Sequence, residues 1–313
     1  MVSFLFAVLV AAAPAPAPPP SVASVEIVVG DLAAERRFYT GALDFTDLGT
    51  HPFRGGRVDR LSLGREHVDL ISYDAPGAAI PLTARSDDRN FQHVAIIVSD
   101  MQRAWSQVQR FRIRKVSSVP QVLPAWNPAA GGIAAVYFRD PEGHPLELLH
   151  FPPGKGAPQW QAAAPLFLGI DHTAIAITDT AASTRFYEAL GFSVRGHSDN
   201  YGIEQEALSA IPRAHVHITA VRFSGAPGVE FLEYVTPLRS QPRETAQPND
   251  LLAARTRLIE SNAAALCATL APVARRPAGC LVRDPDGHFI EIESPPTGSM
   301  IQTSPQPGTT RSL

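Results

Sequence analysis

One phrase recurs along this chain. "VEIVVGDLAAERRFYTGALDF" (Val25–Phe45) is matched by "TAIAITDTAASTRFYEALGF" (Thr173–Phe192), and Asp31 and Asp179 each stand seven residues before the Phe of a "RFY". A second pair is "RDPEGHPLELL" (Arg139–Leu149) and "RDPDGHFIEIE" (Arg283–Glu293). The step from His93 to Asp100 repeats between His172 and Asp179. Self-similarity of this kind restricts a chain to folds built from one repeated unit. Four units emerge, at about 21–75, 86–153, 167–237 and 249–295. Each opens with a short apolar strand, followed by an Asp placed to cap a helix. Two or three strands follow. In units two and four a Asp-Pro-x-Gly turn precedes the last strand, Pro setting φ and Gly accepting a positive φ. The unit therefore reads β-α-β-β-β, and the fold class is α+β.

The chain of 313 residues is 45% hydrophobic and 18% charged, enough to bury two cores. Its net charge is −3 and no Lys/Arg cluster runs along any segment, which excludes nucleic acid as an expected partner. The apolar run Val2–Ala13 and the following "PAPAPPP" match the h-region and cleavage zone of a secretory signal, although no Lys or Arg precedes them. Residues 1–20 are thus read as a signal peptide and Pro-rich linker, removed on export to a secreted or periplasmic location; a cytoplasmic protein with an apolar tail is the alternative. The run is too short to span a bilayer as a helix, so no stable membrane insertion is expected. A first domain of 21–153 (modules one and two), a linker of 154–166, a second domain of 167–295 (modules three and four) and a disordered Pro/Ser/Thr-rich tail of 296–313 complete the division. Cys267 and Cys280 form either one bridge or two buried thiols.

Strand alternation identifies which side chains share a face. His172, Ala174 and Ala176 face together, opposite Thr173, Ile175 and Ile177. His93, Ala95 and Ile97 do the same, opposite Val94, Ile96 and Val98. Glu147 with Leu149, and Glu230 with Leu232, occupy one face of the last strands. A carboxylate inside such an apolar strand is costly unless paired, and a divalent cation would pair it. The corresponding positions of unit one hold Ser24 and Asp69; those of unit four hold Arg255 and Glu291. Unit four is also short, with 36 residues between Arg255 and Glu291 against 54 between His93 and Glu147.

The quoted phrases "HTAIAITDTAASTRFYEALGF", "VEFLEY", "QHVAIIVSD" and "RDPEGHPLEL" resemble the vicinal oxygen chelate superfamily of glyoxalases, extradiol dioxygenases and bleomycin-resistance proteins, over about residues 21–295. The resemblance implies four βαβββ modules pairing into two curved-sheet, open-barrel domains, with metal ligands on the first and last strand of each module. Sequential pairing would leave two incomplete ligand sets. Pairing two with three, which four-module glyoxalases permit, completes one set: His93, Glu147, His172 and Glu230. The concentration of His/Glu sets in the middle modules favours this arrangement. The resemblance further implies one divalent metal ion (Zn, Ni, Co, Mn or Fe) that chelates adjacent oxygens of a small-molecule substrate and stabilises an enediolate, with Glu147, Glu230 or metal-bound hydroxide as base. An extradiol dioxygenase would use Fe(II) or Mn(II) with two His and one carboxylate. A binding protein would use the cavity without metal. Substrate contacts are expected from Trp126, Asn127, Asn200, Tyr201 and Gln205, on two loops that would border one cavity. Arg255 is expected to pair with Asp69 or Glu291. His144 and His288 are read as turn residues, and His215 and His217 match no pattern in the other modules. A chain with four modules completes its own sheets as a monomer, and a homodimer is equally compatible.

Overall fold

The computed structural model describes residues 19–53, 55–225, 227–237 and 246–296. Nearly all of the expected signal and most of the expected tail lie outside the described residues. Among the described residues, no helix is long and apolar enough to cross a membrane.

Module one is β1 (Ser21–Val28), α1 (Leu32–Ala42), β2 (Thr46–Phe53), β3 (Gly56–Leu63) and β4 (Glu66–Tyr73). Module two is β5 (Gln92–Val98), α2 (Met101–Val108), the two-residue strands β6 (Arg114–Lys115) and β7 (Gln121–Val122), β8 (Ala134–Arg139) and β9 (Pro145–His150). Module three is β10 (Phe167–Ile177), α3 (Thr180–Ala189), β11 (Ser193–Tyr201), an inserted α4 (Ile203–Ser209), β12 (His215–Arg222) and β13 (Gly228–Thr236). Module four is β14 (Arg255–Ile259), α5 (Ala263–Thr269), β15 (Ala274–Arg276), β16 (Gly279–Arg283) and β17 (Phe289–Glu293). The expected caps form: Asp31, Asp100 and Asp179 accept from the backbone N–H three residues on, at 2.9–3.0 Å. The shorter module four has Asn262 at this position and no side-chain cap.

The strands form two curved sheets that do not close into barrels. One has the order β15-β16-β17-β14-β1-β4-β3-β2; the other runs β11-β12-β13-β10-β5-β9-β8-β6, with β7 also on β8. Sheets therefore join module one to four and two to three, each through an antiparallel pair of first strands. The outer, helix-bearing faces pair differently. Val25, Tyr39, Val94, Trp105 and Phe138 of modules one and two share one core. Ile175, Tyr187, Leu258, Cys280 and Ile290 of modules three and four share another. Cys267 on α5 and Cys280 on β16 form a disulfide inside that second core.

The two Asp-Pro-x-Gly-His turns hold this second pairing together. Asp140 gathers the N–H groups of Gly143 and His144 at 2.7 and 2.8 Å, and its other oxygen lies 2.7 Å from His144 Nδ1. His144 Nε2 then reaches across to the Val28 carbonyl at 2.8 Å. Glu142 accepts from the Gly30 and Asp31 N–H groups at 2.7 Å each. His288 and Asp286 make the same bridges to Ala176 and Thr178. Both histidines are buried, and they are couplers between modules rather than simple turn residues.

Candidate metal centre

The alternation read from the sequence places the key side chains. Ala174, Ala176, Ile97, Leu149 and Leu232 line an inner cluster, while Val94, Ile96, Ile175, Val229 and Phe231 pack under the helices. Register brings the four expected donors into two adjoining rows: Ala174 lies opposite both His93 and Glu230, and Ala95 opposite both His172 and Glu147. Each alanine leaves room between a histidine on one strand and a carboxylate on another.

The side chains converge. His93 Nε2 is 3.2 Å from Glu147 Oε2, His172 Nε2 is 3.6 Å from the same oxygen, and His172 Nε2 is 3.4 Å from Glu230 Oε2. Donor atoms of His93, Glu147 and His172 all lie within 4.8 Å of one another, as do those of Asp171, His172 and Glu230. His93 is almost fully buried, yet neither ring nitrogen makes a hydrogen bond; its contact with Glu147 lacks the required geometry. A buried imidazole left without a partner is costly. A cation between it and the carboxylates removes that cost, so the residues present fit a divalent metal of the kind bound by imidazole and carboxylate.

Two residues that alternation alone did not single out orient His172. Asp171 Oδ2 lies 3.0 Å from His172 Nδ1, and Asp171 is itself held by Trp160 Nε1 at 2.7 Å and by the Arg222 guanidinium. A partner on Nδ1 fixes the ring and leaves Nε2 to face the centre. A break in register between Ile170 and His172 lets two consecutive residues serve one site, which strict alternation forbids. Trp160 comes from the expected linker, where Pro158–Gln161 forms a short 3-10 turn that buries the indole.

Burial opposes the charged form of His172, but the Glu230 carboxylate, the hydrogen bond that the ring donates to Asp171 and the nearby Glu147 carboxylate outweigh it and raise its pKa to about 10. Burial likewise raises the pKa of Glu147, and the two imidazoles more than reverse this, leaving the carboxyl below its usual range. Burial also pushes Asp171 up, and His172 and Arg222 overcome it and hold the group well below the usual range.

The centre opens on a cavity of about 700 Å³ lined by Glu147, His172, Glu230, Tyr137, Asn200 and Gln205 among others. That volume suits a small molecule. Of the five expected substrate contacts, Asn200 and Gln205 line this cavity, and the buried Gln205 Oε1 has no hydrogen-bond partner. The other three are placed elsewhere. Asn127 is consumed by structure: its amide donates to Asn200 Oδ1 at 2.8 Å and its Oδ1 accepts from Ala129 and Ala130. Trp126 and Tyr201 stack on each other, centroids 4.3 Å apart, on the outer face of the sheet beside a second depression. Tyr201 falls on the opposite parity of β11 from Asn200, so it turns away from the cavity.

The other sheet carries the equivalent positions in the same register: Ser24 opposite Arg257, Glu26 opposite Arg255 and Asp69, Arg257 opposite Glu291. Ion pairs fill this centre. Arg60 grips Asp69 at 2.8 and 2.9 Å, Ser24 donates to Asp69 at 2.8 Å, and Arg276 Nε lies 3.2 Å from Glu291. The expected pairing of Arg255 with Asp69 or Glu291 is corrected: among the described residues its carboxylate contact is Glu26 at 3.7 Å, and its guanidinium donates to the Tyr73 hydroxyl at 2.7 Å. Glu26 is its direct neighbour across the strands, whereas Asp69 and Glu291 already hold Arg60 and Arg276.

The sequence matches the Glyoxalase/Bleomycin resistance protein/Dioxygenase superfamily over residues 21–148 and 169–292, and the chain belongs to that family. No curated protein matches it. Among solved structures, glyoxalase I from Zea mays superposes with a TM-score of 0.60 at 14% identity, covering 88% of this chain and 92% of that one. A point mutant of the same Zea mays enzyme gives 0.61 at 14%, with the same coverage. A Bacillus subtilis protein assigned only provisionally as a dioxygenase gives 0.56 at 13%, covering 88% and 86%. At such identities these likenesses establish the fold.

Proposed function

We propose that the chain is a metal-dependent, glyoxalase-like enzyme of the lyase or isomerase class, acting on a small molecule with two adjacent oxygens. The convergence of His93, Glu147, His172 and Glu230, three of which line one cavity while the buried His93 backs Glu147, carries this reading. A divalent cation held there would act as a Lewis acid, polarising a substrate carbonyl. The chain's own groups divide the remaining work. Glu147 has a side chain only 6% exposed and two imidazole contacts, which fixes it as a ligand and makes it a weak base. Glu230 is 22% exposed, contacts one imidazole and faces the cavity, so it is the group that moves a proton at carbon beside the carbonyl. Gln205 and Asn200 offer amide groups to orient the substrate. Asp171 holds His172 in place.

The buried Cys267–Cys280 disulfide supports an oxidising compartment, in keeping with the apolar segment at the start of the sequence. A second reading draws on the grouping of His93, His172 and Glu147, two histidines and one carboxylate, the set an extradiol dioxygenase would use.

The test is plasma-emission metal analysis of the purified chain, with proton NMR in D₂O of α-hydroxycarbonyl probes. We expect one equivalent of zinc, nickel, cobalt or manganese that His172→Ala removes, and hydrogen exchange at the carbon next to the carbonyl. Glu230→Gln should keep the metal and slow exchange by about 10²–10⁴-fold. Iron with oxygen-dependent catechol cleavage would move the assignment to the dioxygenase. A metal-free protein that binds the probes without exchange would make it a binding protein.

A further inference from the structure

Outside this centre, the described residues hold one more convergence of metal-ligating side chains from three positions. Asp199 on β11 lies directly across from His217 on β12, and His215 is two residues back along the same strand and face. His215 Nε2 is 2.7 Å and His217 Nε2 is 3.0 Å from the single atom Asp199 Oδ1. All three are a third to just over half exposed, on the sheet face opposite the cavity: Asn200, next to Asp199 on β11, lines the cavity, whereas Asp199 and His217 line a depression outside it. Glu233 is the next residue in the row beyond His217, its carboxylate accepting from the Thr180 hydroxyl at 2.5 Å. That depression has a volume of about 550 Å³ and is lined by Asp199, His217, Trp126 and Tyr201, with His215 beside it. Tyr201 lies edge-on to His215 with centroids 5.1 Å apart.

We propose that Asp199, His215 and His217 form a second, outward-facing site for a borderline divalent cation such as Zn²⁺, Ni²⁺ or Cu²⁺. The chemistry of the donors selects the class. Two imidazole nitrogens and one carboxylate oxygen suit these ions, whereas Ca²⁺ and Mg²⁺ are held by oxygen donors. The strand geometry does the positioning. Residues two apart on a strand project side by side, and a cross-strand neighbour closes the triangle. Both Nε2 atoms already aim at one point, so capture needs only a small spreading of the three side chains. Three protein donors leave further positions to water, and the site is independent of the inner centre, with which it shares no residue.

The experiment is calorimetric titration of the intact chain with Ni²⁺, read alongside tryptophan fluorescence. We expect one equivalent that His215→Ala and His217→Ala each remove and that His172→Ala leaves in place. Asp199→Asn, which keeps the shape of the side chain, should weaken the same equivalent by roughly tenfold or more. Filling of that equivalent should quench a fluorescence component that Trp126→Phe abolishes. The proposal is overturned if every Ni²⁺ equivalent bound by the chain survives both His215→Ala and His217→Ala, with the variants' circular dichroism unchanged.

Discussion

The two sheet centres share a register and differ in what occupies it. Between modules two and three, Ala95 and Ala174 sit at the crossing rows and leave space, and two imidazoles and two carboxylates converge beside a cavity that His172 and both carboxylates line. Between modules one and four the same two positions are Glu26 and Arg257. Their side chains fill the space. Arg257 reaches Glu293 at 2.6 Å and comes within 3.8 and 3.9 Å of Glu26 and Asp69. One repeat thus gives a ligand-ready centre where the central side chains are small and a closed ion-pair lattice where they are long and charged. The last-strand carboxylates Glu147, Glu230, Asp69 and Glu291 occur in both centres. What separates the two is whether imidazole or guanidinium faces them.

The sharpest way to break the comparison is to carry a residue from one centre to the other. His172→Arg installs the residue that unit four has at that position. A guanidinium cannot ligate a cation and pairs with Glu147 and Glu230 instead. Bound metal, by plasma emission, should fall by the one equivalent held at this centre, and His93→Ala should do the same. A loss of only half that equivalent in either variant would contradict a shared site. The reverse centre should respond in stability and not in metal. Asp69→Ala strips Arg60 and Arg257 of a buried partner and leaves the Ser24 hydroxyl unpaired. Losing one partner of a buried pair costs about 3–5 kcal/mol, and the half-exposed Arg60 lowers this to roughly 2–3 kcal/mol. Urea denaturation should show the loss while metal content stays unchanged.

Much of this contrast is written in the sequence because a strand's period of two is rigid. His93, Ala95, Glu147, His172 and Glu230 could be assigned to one face by counting, and the Ser24, Asp69, Arg255 and Glu291 equivalences hold in the observed register. The four βαβββ units and the three Asp caps were legible for the same local reasons. What alternation could not show depends on departures from it or on distant chain. Asp171 reaches His172 only through an irregular register. Trp160 enters from a segment with no periodic pattern at all. Trp126 and Tyr201 looked like cavity residues because their loops lie beside Asn127 and Asn200, but a loop's position does not fix the direction of its aromatic side chains. Nor could spacing reveal that His144 and His288 bridge to a neighbouring module's carbonyl, since that contact joins residues more than a hundred positions apart.

The even modules differ in a second way. Module two has a capped α2, while module four has an uncapped α5 of seven residues and a shortened chain. The Cys267–Cys280 disulfide ties that helix to β16. Closing a loop of this size stabilises by about 2–3 kcal/mol, chiefly by restricting the unfolded chain. Reduction, or Cys267→Ser with Cys280→Ser, should lower the unfolding free energy by that amount, and the inner metal centre should keep its stoichiometry. A variant as stable as the parent would mean that module four is held by its sheet pairing alone.

A last expected effect is on pH dependence, and it tests whether the closed centre is electrostatically balanced. Burial raises the Glu26 carboxyl to about 7 even though Arg255 and Arg257 pull it down, with Glu291 and Asp69 opposing them. A carboxyl raised on folding prefers its neutral form in the folded state. Its contribution to stability is therefore complete below the unfolded value near 4.5 and is lost as pH rises through about 7. Glu26→Gln fixes the neutral form, so the stability difference between parent and variant should change between pH 4.5 and 7 in favour of the variant. If that difference is flat across the window, the arginines hold Glu26 ionised throughout, and the closed centre is a set of full ion pairs rather than one with a neutral acid at its crossing row.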